Sequence, residues 1–127
     1  MDATIREALA TNQTIDITTT GRHSQEPRRI EIVVHNVDRH LYISGIPSRR
    51  TRAWIHNLDA DPRLIVHLKG RTKADLDATA RVITDEGERR AILPSIARNW
   101  GRTDVDAMVA HSPLMEITVP GYPDTAA

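Results

Sequence analysis

A mostly antiparallel β-barrel or sandwich with helices at its ends, a mainly β fold of the α+β class, is what the sequence predicts. Three observations lead there. Six short stretches alternate apolar and polar residues with the two-residue period of a strand. Gly, Pro, Asn and Asp punctuate them at hairpin distances. Apolar residues at helical spacing occur only in brief segments between them. The 127 residues form a single domain, large enough to bury a core and too small for two stable ones.

Taken in order, Ile5, Ala8 and Leu9 lie at helical spacing behind Asp2 or Thr4 as cap, which predicts an N-terminal helix over about 2–11. Ile15 and Ile17 alternate with Asp16 and Thr18 in a first strand that ends at Gly21. Ile30, Ile32 and Val34 alternate with polar neighbours, and beyond Asn36 to Arg39 a second run holds Leu41 and Ile43, so these pair as a hairpin. Gly45 and Pro47 break the chain before a helix from Thr51 to Leu58, which closes ahead of Asp61 and Pro62. Leu64, Val66 and Leu68 form a strand, Gly70 turns, and the run from Ala74 to Val82 is a strand with one small-residue face. Asp85 with Glu88 three residues on opens a helix through Ile92, Ile96 and Trp100, which Pro94 is expected to kink. Val105 to Ala110 adds a turn, Leu114 to Val119 is the last strand, and about 120–127 reads as a mobile tail.

Composition narrows the function. Without cysteine the chain has no disulfide, thiolate nucleophile or Cys-ligated metal, and nothing suggests an oxidising compartment. No apolar run reaches the roughly 20 residues of a membrane helix, and Met1 is followed by Asp2, Arg6 and Glu7 rather than a basic-then-apolar leader, so a soluble cytoplasmic protein is expected. Lys plus Arg and Asp plus Glu are 17 each, which argues against nucleic acid as a partner. That balance hides an asymmetry: seven arginines between Arg22 and Arg52 face only Glu26, Glu31 and Asp38. Arginine outnumbers lysine 15 to 2, a bias compatible with a high-GC genome such as an actinobacterium.

Two basic segments follow strand ends. Arg49, Arg50 and Arg52 precede a helix start, where cations oppose the helix dipole unless an anion is bound there. The segment reads either as a phosphate seat or as a solvated basic turn. Thr18, Thr19, Thr20, Gly21, Arg22, His23 and Ser24, followed by Pro27, Arg28 and Arg29, combine hydroxyls, a flexible glycine and guanidinium forks. They suit an anionic ligand, or serve as an ordinary polar connection. The six histidines form no HxH or HExxH pair, so no metal site is read. Trp54 is a core anchor or a platform for a ring. With no GxSxG elbow, and no Ser or Thr having a base partner at a known spacing, no nucleophilic catalysis is read. Hard chemistry would then be imported by a phosphate-bearing coenzyme.

Three runs carry a resemblance: TTTGRHSQEPR at 18–28, LYISG at 41–45 and AWIHNLDADP at 53–62. In order and spacing they resemble the deazaflavin-dependent nitroreductase family, whose signature is roughly TTGRxSGxPR, a strand ending in Ser, then WxxNLxAxP. The similarity covers about residues 16–85 well. It implies a six-stranded antiparallel split β-barrel of the FMN-binding, pyridoxamine-phosphate oxidase-like class. It also implies coenzyme F420, a deazaflavin with a phosphate and an acidic tail, with FMN as the alternative. By position, Thr20, Gly21, Arg22, His23, Arg28 and Arg29 would meet the anionic groups, with Arg49 and Arg50 adding charge. Ser44, Gly45 and Ile46 would meet the ring, and Trp54 would shape the wall. The chain departs from the pattern at Ile30-Glu31, at His23 and at Ile46-Pro47. The implied activity is hydride transfer to a small electron-poor substrate: nitroaromatic, quinone or enone. A non-catalytic binder of a flavin, haem or other anionic ligand is the alternative, and a homodimer is left open.

Overall fold

The computed structural model describes residues 1–123, arranged as α1 (Ala3–Leu9), β1 (Gln13–Thr20), β2 (Pro27–Val37), β3 (His40–Ser44), α2 (Ala53–Ala60), β4 (Arg63–Lys69), β5 (Lys73–Val82), α3 (Glu86–Trp100), α4 (Val105–His111) and β6 (Leu114–Thr118). The six strands close into a barrel in the order β1-β2-β3-β6-β5-β4, every neighbouring pair antiparallel. Alternation along each strand sends one set of side chains inward. Ile15 and Ile17 of β1, Ile43 of β3, Val66 of β4 and Met115 of β6 are all essentially inaccessible, and Leu9 of α1 and Leu58 of α2 pack onto them. With no phenylalanine available, branched aliphatics and methionine fill the interior. The small face of β5 belongs to this core, with Ala74, Ala78 and Ala80 turned into it.

A second apolar cluster lies outside the barrel, where Tyr42 of β3 and Leu114 of β6 meet Leu93 and Ile96 of α3 and Met108 of α4. Local chemistry fixes these helices. Asp85 caps α3 by accepting from the Glu88 amide at 2.8 Å, and Gly101 ends it in the left-handed region (φ 67°) that glycine enters without penalty. The Glu88 carboxylate is engaged instead by Arg81, at 2.6 and 3.0 Å. Pro94 lies within the single helix Glu86–Trp100. At the end of α4 the guanidinium of Arg89 donates to the carbonyls of Val109 (2.9 Å), Met108 (3.1 Å) and Ser112, and to Ile83 of the β5–α3 connection (2.9 Å). One side chain thereby satisfies carbonyls that a helix end leaves open. Burial lowers its proton affinity below that of an ordinary arginine.

In the segment after β6, read as tail, Tyr122 is docked. Tyr122 packs on the barrel core and its hydroxyl accepts from Asn36 Nδ2 at 2.7 Å. Residues 124–127 of the expected tail lie outside the described residues. The β2–β3 hairpin turns through Asp38 (φ 52°) and Arg39 (φ 68°), both left-handed, as its two-residue loop requires. Arginine is disfavoured there. Arg39→Gly is therefore expected to raise stability by about 1 kcal/mol in urea unfolding, glycine being the usual second residue of such turns.

His35 of β2 is 1% exposed, and its ring meets Trp100 edge-on at 4.6 Å. Among the described residues neither ring nitrogen has a hydrogen-bond partner. Burial pushes its pKa down to about 4. The unfolded chain therefore binds a proton near pH 6.5 that the folded chain refuses until about pH 4. Stability is expected to fall by about 3 kcal/mol as pH drops through that window, at 1.36 kcal/mol per unit. His35→Leu should remove that component. Denaturant unfolding at several pH values checks this: parallel slopes for the two proteins would contradict it.

Candidate functional site

The chain leaving β3 is held close to the segment between α4 and β6. Ser44, buried, donates its hydroxyl to the Pro113 carbonyl at 2.6 Å, and the Ser48 amide donates to the His111 carbonyl at 3.0 Å. A side chain at Gly45 would sit 3.0 Å from the Pro113 ring and 3.2 Å from the Arg52 guanidinium. Glycine is what permits this approach. Arg52 in turn donates to the Ile46 carbonyl at 3.0 Å, while the Ile46 side chain is 60% exposed.

This loop delivers Arg49 and Arg50 to the start of α2. That helix has Arg52 as its N-cap, no side-chain cap and no acid in its first turn, so its leading N–H groups lack the usual side-chain acceptor. Beside it lies a cavity of about 610 Å³, walled by residues 48–52 and α2 on one side and by α3, α4 and the ends of β5 and β6 on the other. Its charges do not cancel. Arg90 takes up both Asp106, at 2.8 Å, and Glu86, at 3.7 Å, and Arg89 is bound to carbonyls. Arg49 and Arg50 are exposed and make no salt bridge among the described residues. Ile55, Val82, Val109 and Leu114 supply apolar wall, and His56 and His111 line it too. Asp59 is the one acid on this wall that no arginine takes up among the described residues, and Arg49 and Arg50 outweigh it. A cationic rim over free helix N–H groups, next to an apolar wall, is an arrangement for a ligand with an anionic end and a flat apolar body.

The second basic segment sits on the flank of α2 that carries Asn57. Residues 21–26 fold on themselves: the Gly21 amide donates to the Glu26 carbonyl at 2.8 Å and the Gln25 amide to the Gly21 carbonyl at 2.9 Å. A Cβ on Gly21 would lie 2.7 Å from Ser24 Oγ, a hydroxyl that would have to swing aside to admit one. Buried Asn57 accepts from the Arg22 amide at 3.1 Å and donates to Thr19 Oγ1 at 3.4 Å, joining the loop to the helix. Arg22, His23 and Arg28 point to solvent without an acidic partner among the described residues.

The residues flagged from the sequence therefore separate. Arg49 and Arg50 line the cavity, whereas Arg22, His23 and Arg28 stand on the loop tied to Asn57 and do not line it. Arg29 is taken by Asp16, at 3.0 Å. Ser44 and Gly45 lie beneath Pro113 and Arg52. Trp54 is half-buried against the barrel core, and Thr20 faces a different groove at the outside of the barrel. Asn57 and Arg89 escaped the sequence reading. Asn57 belonged to the quoted helix run without a role, and Arg89 carried no signal, because an arginine in a charged first helical turn reads as solvated.

The sequence matches the model of the F420H(2)-dependent quinone reductase family over residues 1–119. No curated protein matches it. Among solved structures the fold is similar to a conserved hypothetical protein of Mycobacterium tuberculosis, with 17% identity and a TM-score of 0.73, covering 100% of this chain and 91% of that one. It is similar also to the haem storage protein HutZ of Vibrio cholerae, with 14% identity and a TM-score of 0.67, covering 93% and 89%. An F420 reductase matches with 12% identity and a TM-score of 0.67, covering 90% and 91%. At such identities the likeness shows the fold, the six-stranded split barrel of the pyridoxamine-phosphate oxidase-like class. The family match spans nearly the whole chain, and the chain belongs to the F420H(2)-dependent quinone reductase family.

Proposed function

We propose that this F420-dependent reductase transfers hydride to a small electron-poor acceptor, with a quinone first among the candidates and nitroaromatics and enones next. The observation that carries the reading is the pair of unpaired arginines, Arg49 and Arg50, set over the uncapped start of α2 at the mouth of the cavity. The donor set fits the cofactor. F420 joins a flat ring to a phosphate and an acidic tail, and the chain offers cations and free N–H groups for the anionic part and an apolar wall for the ring. When bound, the reduced deazaflavin supplies the hydride.

What this chain's residues do is bind, orient and exclude water. Arg49, Arg50 and the first amides of α2 would hold the phosphate, and Arg22, His23 and Arg28, carried beside the same helix by the Asn57 bonds, would hold the acidic tail. Ile55, Val82, Val109 and Leu114 would pack against the ring and keep the site dry. Reduction of a quinone needs a proton besides the hydride, and His56 and His111 on the cavity wall are the side chains able to deliver it. Ser44 and Gly45 contribute indirectly, by fixing the path of the loop that bears the arginines.

Oxidation of F420H2, followed by the return of deazaflavin absorbance with menadione as acceptor, tests this reading. The wild-type protein is expected to turn over. Arg49→Ala and Arg50→Ala should each raise KM for F420H2 about tenfold, the lower end of what a charge-assisted hydrogen bond contributes, with kcat little changed. Arg71→Ala, an exposed cation away from the cavity, should leave KM unchanged. No oxidation with any quinone, nitroaromatic or enone would contradict the proposal.

A further inference from the structure

On the outer face of the barrel the strand register brings together a group of side chains separated in sequence. Thr18 lies opposite Ile65, and His67 lies between Asp16 on β1 and Asp75 on β5. Paired residues share a face, and since Ile17 and Val66 point into the core these side chains point outward. His67 is nonetheless only 7% exposed. Its Nδ1 is 2.7 Å from Asp75 Oδ1 and its Nε2 is 2.7 Å from Thr18 Oγ1. An ionised carboxylate can only accept, so Nδ1 carries a proton; in the neutral ring Nε2 then accepts, and the Thr18 hydroxyl donates to it. The other nearby carboxylate, Asp16, is occupied by Arg29 at 3.0 Å and Lys69 at 2.7 Å, which leaves Asp75 to orient the ring.

Hydroxyl, imidazole and carboxylate in this order form the arrangement that activates a nucleophilic oxygen, and it is recognised by geometry rather than by sequence order. The imidazole is the buried member, the hydroxyl is half-buried at the edge of a groove, and the carboxylate is exposed. Thr18 lines a groove of about 680 Å³ whose wall includes Pro27, Ile65, Ala78 and Pro120, with Arg63 alongside. The sequence reading found no threonine with a base partner because the three residues come from three strands and meet only when β1 pairs with β4.

We propose that Thr18 is a nucleophile toward small activated esters, with His67 as its base and Asp75 as the positioning residue, in a site separate from the reductase cavity. Thr18 Oγ1 forms a bond to the acyl carbon as its proton passes to His67 Nε2. The ester C–O bond breaks and the leaving alcohol takes that proton. Water then attacks the acyl-threonine by the same route, releasing the acid and restoring the hydroxyl. No oxidant or reductant is involved, so the test needs no F420.

p-Nitrophenyl acetate is the probe, read by nitrophenol release and by peptide mass spectrometry of the acetylated protein. Acetyl on Thr18 is expected in the wild-type protein. The release rate should fall at least about tenfold in Thr18→Val and His67→Gln, a modest share of what a positioned base contributes, and return in Thr18→Ser. Asp75→Asn should lower kcat while leaving KM and the melting temperature unchanged. Adduct mapping on the wild-type chain decides the matter even if Thr18→Val does not fold. Acetyl found only on other residues, or a Thr18→Val rate equal to wild type in a folded protein, would overturn the proposal.

Discussion

Closure of the sheet by the pairing of β1 with β4 is the constraint on which the rest of the structure depends. Only three residue pairs, Asp16–His67, Ile17–Val66 and Thr18–Ile65, make the seam. Closing it gives β1 a partner on both sides, so that Ile15 and Ile17 become the centre of the core rather than the edge of an open sheet. The seam also fixes where the β1–β2 loop emerges. That loop lies within reach of Asn57, and α2 packs on β1 and β5 with Leu58 entering the core. The same seam brings Thr18 to His67, which the pairing of β4 with β5 sets opposite Asp75.

A second constraint is how the arginines are used. Several are fully committed: Arg29 to Asp16, Arg81 to Glu88 and Glu116, Arg90 to Asp106, Arg102 to Asp104, and Arg89 to backbone carbonyls. These hold strands and helices in place, although the exposed pairs each contribute little. Against them, Arg22, Arg28, Arg49 and Arg50 flank one helix without acidic partners among the described residues. Arg49 and Arg50 at the uncapped helix start repel one another and oppose the dipole, and an anionic ligand reverses both effects. The proposed cofactor would bring such an anion.

The strands were legible because each lies half in a core, so alternation appears directly in Ile15, Ile17, Ile30, Ile32 and the run from Ala74 to Val82. The caps of α1 and α3 were legible because Asp2 and Asp85 act through local bonds. Strand order and closure were not, since β3 pairs with β6 across some seventy residues and local pattern carries no information about that partner. The site was legible as charge rather than as geometry. Arg49 and Arg50 stood out as cations at a helix start, but the covering of Ser44 by Pro113, the diversion of Arg29 to Asp16 and the cap that Arg89 makes on α4 are all long-range contacts. Tyr122, in a stretch whose Pro and Gly read as tail, is held by Asn36 from the far end of a hairpin.

The central claim is that the cationic surroundings of α2 form the seat of a deazaflavin cofactor. Calorimetric titration of the purified chain with F420 and, separately, with FMN, at low and at moderate salt, tests it most directly. The expected result is saturable F420 binding that weakens as salt rises, as exposed arginines holding a phosphate require, with FMN binding weaker because it lacks the acidic tail. Absence of F420 binding at low salt, or affinity indifferent to salt, would contradict the claim.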